Sequence, residues 1–342
     1  MKYVPVVRYR QEERAALKRL TLSSKTMPLI EIVTEKPRSN MKKPFAELYA
    51  KDLAFLKGPF MVDLPTHLPL SRSTKHNVRD FLLPLKRDRA LVVGRLLDLA
   101  GIEGLVPVLS YDPVTPYTRG ALVSEAQTLK ARFSRLAYRV FAEATNSCLS
   151  DLESVAGSDD IVILDINVLP HGSRRLKPLY RRLRSLKAAT GCSLVVVRSA
   201  LSPQLTNVGL VDGQPIIDAD DSLRNMYPTY GFDAFGDFAG IKKDVLREGG
   251  TVSPGVVYYF WDGGMYVGYK GREPKVSEFA CHIVPNLTQS EHWRRMPPRH
   301  RALCPGCRYV QDVLAGTESG RGQGMWKRVS MMHYLYTMEE RL

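Results

Sequence analysis

The sequence predicts a TIM-like (β/α)8 barrel over residues 1–245 and, over 246–342, a smaller basic α+β cap that carries a β-hairpin. Three observations predict it. Short apolar, β-branched runs recur along the first two-thirds of the chain, and each is followed by a charged stretch of helical period. The runs return about every 30 residues, the length of a strand, a crossover helix and two short loops. No G-x-G-x-x-G follows the first run, as an open dinucleotide-binding sheet would require, and eight strand–helix units suit closure better.

In order, the strand candidates are 3–8, 27–33, 59–64, 105–110, 138–144, 160–167, 192–198 and 232–238. Helices are read at 10–20 (RQEERAALKRL), 43–56, 123–136 and 176–189, where apolar residues fall three or four apart with charges on the other face. The step between 64 and 105 is the least regular, and 91–94 could form an extra strand that spoils the count.

Charge gathers at one end of these runs. Arg8, Glu31, Asp63, Asp112, Glu143, Asp165, Arg198 and Asp237 each fall at or just after a strand's C-terminal end, and in a barrel those ends share one mouth. Charges are costly to bury without partners, so their recurrence in one layer points to a polar site. The alternative is a set of ion pairs, Arg8 and Arg198 against the carboxylates, that seals the barrel top.

Composition narrows the classes. With 44% hydrophobic and 25% charged residues in 342, the chain has the material for a full core and is not a disordered tail. The formal charge of +14 favours a nucleic acid or another polyanion as partner. Five cysteines without dense patterning argue against a disulfide scaffold, and residues 1–10 do not read as a signal peptide. No stretch approaches the ~20 apolar residues of a membrane span. A cytoplasmic protein with no membrane contact is expected.

After residue 244 the alternation stops. VVYYFWDGGMYVGYKG reads as a hairpin around Asp262-Gly263-Gly264, which must pack its apolar face on the barrel. Cys304-Pro305-Gly306-Cys307 is a C-x2-C turn that could present two thiolates to a structural zinc, with Cys281 and His300 (or His282 or His292) as further ligands; a metal-free loop is the alternative. Trp293, Arg294, Arg295, Arg299 and Arg301 interleave bases with an aromatic, as nucleic-acid-contacting surfaces do. A second basic run, 171–187, holds no acid and fits either a contact surface or a solvated helix face.

The runs YVPVVRYRQEERAALKRL and MPLIEIV, then FGDFAGIKKD and the late MWKRVSMMHYLYTM, resemble the beta family of phage and bacterial proteins over nearly the whole chain. That resemblance implies a phage, prophage or defence setting more than a reaction. The late motif of the family reads as paired histidines, whereas this chain has Met332 beside His333. Because the resemblance recurs there, the C-terminal segment is expected to reach the mouth and contribute Arg328 and His333.

Three functions fit these residues. In a phosphodiesterase or nuclease, Glu31, Asp63, Glu143, Asp165 and Asp237 would hold Mg2+ or Mn2+ or act as general base. Arg8, Arg198, Lys242, Lys243 and Arg328 would bind phosphate, and His333 would be the general acid. The competing function is a non-catalytic binding or sensor component of a phage–host conflict system, with a protein partner. An enzyme acting on a small phosphorylated metabolite would use the same mouth.

Overall fold

The computed structural model describes residues 1–36, 43–111, 118–243 and 252–342. Residues β1 (Tyr3–Arg8), β2 (Leu29–Glu31), β3 (Phe60–Asp63), β4 (Leu105–Tyr111), β5 (Ala137–Phe141), β6 (Ile161–Asp165) and β7 (Ser193–Val197) follow one another around a closed parallel barrel. A two-residue strand, β8 (Gln214–Pro215), lies outside it, and β9 (Ala234–Asp237) completes the circle by pairing with β1 at Tyr3↔Phe235 and Val4↔Gly236. Every predicted barrel strand is present, shortened by a few residues at most. The predicted boundary at 245 and the strand-end residue Asp112 lie outside the described residues.

Each barrel strand is buried on both faces, which is why it reads as a continuous apolar run rather than an alternating one. Successive side chains nevertheless point to opposite sides. Val4, Val6, Leu29, Met61, Val108, Ile163 and Val195 fill the barrel interior. Tyr3, Val7, Ile30, Val62, Leu109, Tyr138 and Val196 face the surrounding helices and belong to the larger core.

All four predicted helices form, at Gln11–Leu17, Phe45–Leu53, Ala121–Lys130 and Lys177–Thr190. Residues 91–94 are helical, not an extra strand. They sit inside Arg89–Asp98, whose first turn is capped by the Asp88 carboxylate accepting the Ala90 N–H at 2.8 Å. The Val92-Val93 pair mimicked a strand, but burial of Val92, Val93 and Leu96 follows one helical face.

The hairpin forms as predicted, β10 (Gly255–Phe260) against β11 (Met265–Lys270), and its turn uses Gly263 and Gly264 at φ 89° and 60°. It takes β8 as a third strand, through Val267↔Pro215 and Gly268↔Gln214. The segment joining the last two barrel strands therefore helps build the cap. The C-terminal helix, Gln323–Arg341, is buried on most sides and docks on the first helix, where Arg328 pairs with Glu12 at 2.6 Å and Lys327 with Glu13 at 2.8 Å. Among the described residues, no helix is long and apolar enough to cross a membrane.

Candidate functional site

The inward-facing residues of the topmost barrel layer are not apolar. They are Arg8, Glu31, Asp63, Ser110, Arg139 and Asp165, one from each of β1 to β6, and all are buried. Arg139 is the hub. Its Nη1 donates to Glu31 Oε1 at 2.8 Å and to Asp63 Oδ2 at 2.9 Å, while Nη2 donates to Asp165 Oδ2 at 2.6 Å. Arg8 Nε reaches Glu31 Oε2 at 3.0 Å, and Ser110 Oγ donates to Asp63 Oδ2 at 2.8 Å. Lys243 completes the cluster from the loop after β9, donating to Asn167 Oδ1 at 3.2 Å with its ammonium over the Phe141 and Phe238 rings. Three cations thus meet three carboxylates.

Environment splits those carboxylates apart. Burial pushes Glu31 up, but the Arg139 guanidinium, with Arg8, outweighs it and holds Glu31 well below the usual carboxylate range. Asp165 is also lowered, since Lys243 and Arg139 outweigh its burial. For Asp63 burial wins, and its pKa is pushed up to about 6. His67, from the loop after β3, falls to about 3 because of burial and the nearby Arg139, so its imidazole is neutral at working pH.

Polar atoms are left over at this same place. Arg8 Nη1, Asp63 Oδ1 and both ring nitrogens of His67 are buried without a hydrogen-bond partner. His67 Nε2 comes to 3.5 Å of Glu31 Oε1 without hydrogen-bond geometry. Such atoms cost about 1–3 kcal/mol each unless something meets them, so the mouth has unused capacity for a polar ligand. The turns above it are strained as well. Asn167 and Ala239, just after β6 and β9, hold φ at 57° and 54°, a conformation costing non-glycine residues roughly 1–2 kcal/mol.

A cleft of about 690 Å3 opens between this end of the barrel and the cap. Its walls come from the segments after β1 (Arg10), β3 (Lys75), β7 (Leu201, Leu205) and β9 (Gly240, Lys242), from the start of the hairpin, and from the first turns of the C-terminal helix (Gln323, Lys327). Four basic side chains line it, Arg10, Lys75, Lys242 and Lys327, and among the described residues no acidic one does.

The mouth thus gathers Glu31, Asp63, Asp165, Arg8 and Lys243 of the predicted residues, with Lys242 in the adjoining cleft. The ion pairs that seal the barrel top exist: Arg8 pairs with Glu31 as expected, Arg139 takes the place expected of Arg198, and it makes the pairs to Glu31, Asp63 and Asp165. The other candidates lie elsewhere. Glu143 is exposed in the turn after β5. Asp237 points outward, because strand parity turns Ala234 and Gly236 in and Phe235 and Asp237 out; it accepts the Tyr334 hydroxyl, the Tyr3 hydroxyl at 2.7 Å and the Ala239 N–H at 2.8 Å. Arg198 is structural, bound to the carbonyls of Leu169 and Asp220 at 2.9 Å each. Arg328 is committed to Glu12, so it does not reach the mouth.

In the cap, Trp293 is only 5% exposed and packs on Tyr258, so no base can stack on it. Arg295 pairs with Glu291 at the surface and Arg301 donates to the Trp293 carbonyl at 3.0 Å, so Arg294, Arg295 and Arg299 are the exposed bases of that stretch, without an aromatic among them. The basic run at 171–187 leaves Arg174 and Arg175 exposed in the turn before a helix whose outer face exposes Lys177, Arg181, Arg182 and Arg184 while Leu179, Leu183 and Leu186 are buried, as a solvated face requires. Cys281 is exposed beside Glu278, away from the Cys304–Cys307 turn. His333 is buried within the cap against Cys304, Cys307 and His300, so it cannot serve as an acid at the mouth.

Asp237 supplies a pH-dependent prediction. Burial raises its pKa from 3.8 to about 6, so the folded chain holds this proton more tightly than the unfolded one. Its contribution favours folding fully below about pH 4 and is withdrawn as pH rises through 6. Relative to wild type, Asp237→Asn should therefore gain about 1 kcal/mol of stability between pH 5 and pH 8. Urea midpoints at the two pH values measure this, and a difference that stays constant would refute it.

No curated protein matches the chain. Residues 3–339 match the family described as Beta protein, and the chain is a member of that family.

Proposed function

We propose that this chain is a nucleic-acid-binding barrel whose cleft between mouth and cap takes the phosphate backbone of a strand. One observation carries this reading: the cleft is lined by Arg10, Lys75, Lys242 and Lys327, with no acidic residue among those described, although Lys327 also pairs with Glu13 beside it. The segments after the last two barrel strands, where barrels commonly bind phosphate, both contribute to it. The formal charge of +14 supports the same partner class by steering polyanions toward the protein. In a phage–host conflict, the setting the family resemblance implies, such a module would sense or sequester nucleic acid, with or without a protein partner.

The test is fluorescence anisotropy with labelled single-stranded RNA, single-stranded DNA and duplex DNA over a salt series. Binding should weaken steeply with salt, and the Lys75→Glu/Lys242→Glu double variant should lower affinity by about tenfold or more while reducing the salt slope by about one per lost contact. Absence of salt-sensitive binding, or a double variant that binds like wild type, would overturn the reading.

Hydrolysis of the bound phosphodiester is a second reading, and Asp63 favours it. Its unpartnered Oδ1 and its pKa of about 6 suit a group that exchanges a proton near neutrality. Glu31, Asp63 and His67 each offer a ligand atom within 4.8 Å of the others, with Asp63 Oδ1 and the His67 ring nitrogens unpartnered, but Glu31 Oε1 and Asp63 Oδ2 accept from Arg139 Nη1, so Mg2+ or Mn2+ there would share its carboxylates with that guanidinium. Cleavage assays with and without Mg2+ or Mn2+, and on Asp63→Asn, separate cutting from binding.

A further inference from the structure

We propose that His300, Cys304, Cys307 and His333 bind one zinc ion, which fastens the cap together. The four ligand atoms, His300 Nε2, His333 Nδ1 and the two Sγ atoms, lie within 4.8 Å of one another and are contributed by buried residues. His333 Nδ1 is 3.5 Å from Cys304 Sγ, 3.4 Å from Cys307 Sγ and 3.4 Å from His300 Nε2. Tetrahedral zinc, with bonds of about 2.0–2.1 Å to nitrogen and about 2.3 Å to sulfur, sets its ligand atoms about 3.3–3.8 Å apart. The spacing fits.

Hydrogen bonding at the far side of each imidazole fixes which nitrogen is bare. His300 Nδ1 faces the Glu340 carboxylate at 2.5 Å, and His333 Nε2 faces the Tyr259 carbonyl at 2.7 Å. Both partners accept, so each of those nitrogens carries the proton, and His300 Nε2 and His333 Nδ1 face each other as lone pairs beside two sulfurs. Four electron donors converging among buried residues call for a cation. A carboxylate and a carbonyl behind the two rings are the outer partners that metal-bound histidines take.

The ligands span three helices, Pro298–Leu303, Pro305–Leu314 and Gln323–Arg341, and the ring of Tyr258 from the hairpin stacks on His333 at 4.1 Å. Four protein ligands close the site, so its role is structural. Gly306 makes the approach possible: a Cβ there would come within 2.7 Å of the Val329 carbonyl and 2.8 Å of the His333 amide nitrogen. Cys281, the ligand expected from sequence, is replaced by His333.

Elemental analysis of the purified full-length chain after dialysis should find one zinc per chain. Cys304→Ser and His333→Asn should each fall below about a tenth of an equivalent, and Cys281→Ser should retain the full one. If either ligand variant fails to fold, the wild-type chain reloaded with cobalt decides: intense visible bands of a tetrahedral site with sulfur-to-cobalt charge transfer are expected. A folded chain without metal, a Cys304–Cys307 disulfide in its place, an octahedral cobalt spectrum, or loss of zinc in Cys281→Ser would overturn the assignment.

Discussion

Replacing Arg139 by Met should cost about 3–5 kcal/mol at pH 7.5, because it strands Glu31, Asp63 and Asp165 in the barrel interior without their shared cation. No exposed surface is available to those side chains, which are 0–1% accessible, so they cannot recover water by rotating outward. Their remaining escape is to take up protons. The variant should therefore regain part of its loss at pH 5, where neutral carboxyls no longer repel one another. Arg139→Lys should also be destabilised, since one ammonium cannot reproduce a fork that meets three carboxylates on three strands. Urea denaturation at both pH values reads the result. A Met variant as stable as wild type would show that the layer is loosely hydrated and the hub unimportant.

The second large effect is expected at Trp326. Its indole is 1% exposed, stacks on Phe279 at 5.3 Å, meets Tyr309 edge-on at 5.7 Å and donates to the Gly320 carbonyl at 2.8 Å. Trp326→Ala removes the largest buried side chain of the C-terminal helix and should cost about 3–5 kcal/mol, with Trp326→Phe costing less because the stacking survives. The residue also borders the cleft, so the alanine variant should lose nucleic-acid affinity at temperatures where it remains folded. An alanine variant within about 1 kcal/mol of wild type would mean the helix is held by its ion pairs to Glu12 and Glu13 instead of by packing.

How much of this was legible depended on whether the deciding interaction is local. Strand positions were, because a parallel barrel strand announces itself by a short apolar run. Glu31, Asp63 and Asp165 were found at the mouth because each ends such a run. Arg139 was missed for the same reason. It lies two residues before the end of β5, and reading that strand as far as residue 144 put the exposed Glu143 in its place. Strand parity was the available signal: an arginine at an inward position among inward acids is the counter-charge the layer needs. Parity also separates Asp237 from the mouth, since Gly236 takes the inward position beside it. Of the partners of the Cys304–Cys307 turn, His300 was among the candidates but His333 was not legible, because nothing in its spacing reports that a close contact at Gly306 brings its helix to the turn.

The docking of the C-terminal helix on the first helix also has a temporal side. Arg328 lies 316 residues beyond its partner Glu12. At about 5–20 residues per second, a ribosome delivers that partner roughly 15–60 s after the first helix emerges. Through that interval the first helix lacks the cover that the C-terminal helix gives it, and the nascent chain must keep this flank from sticking to others until that helix arrives.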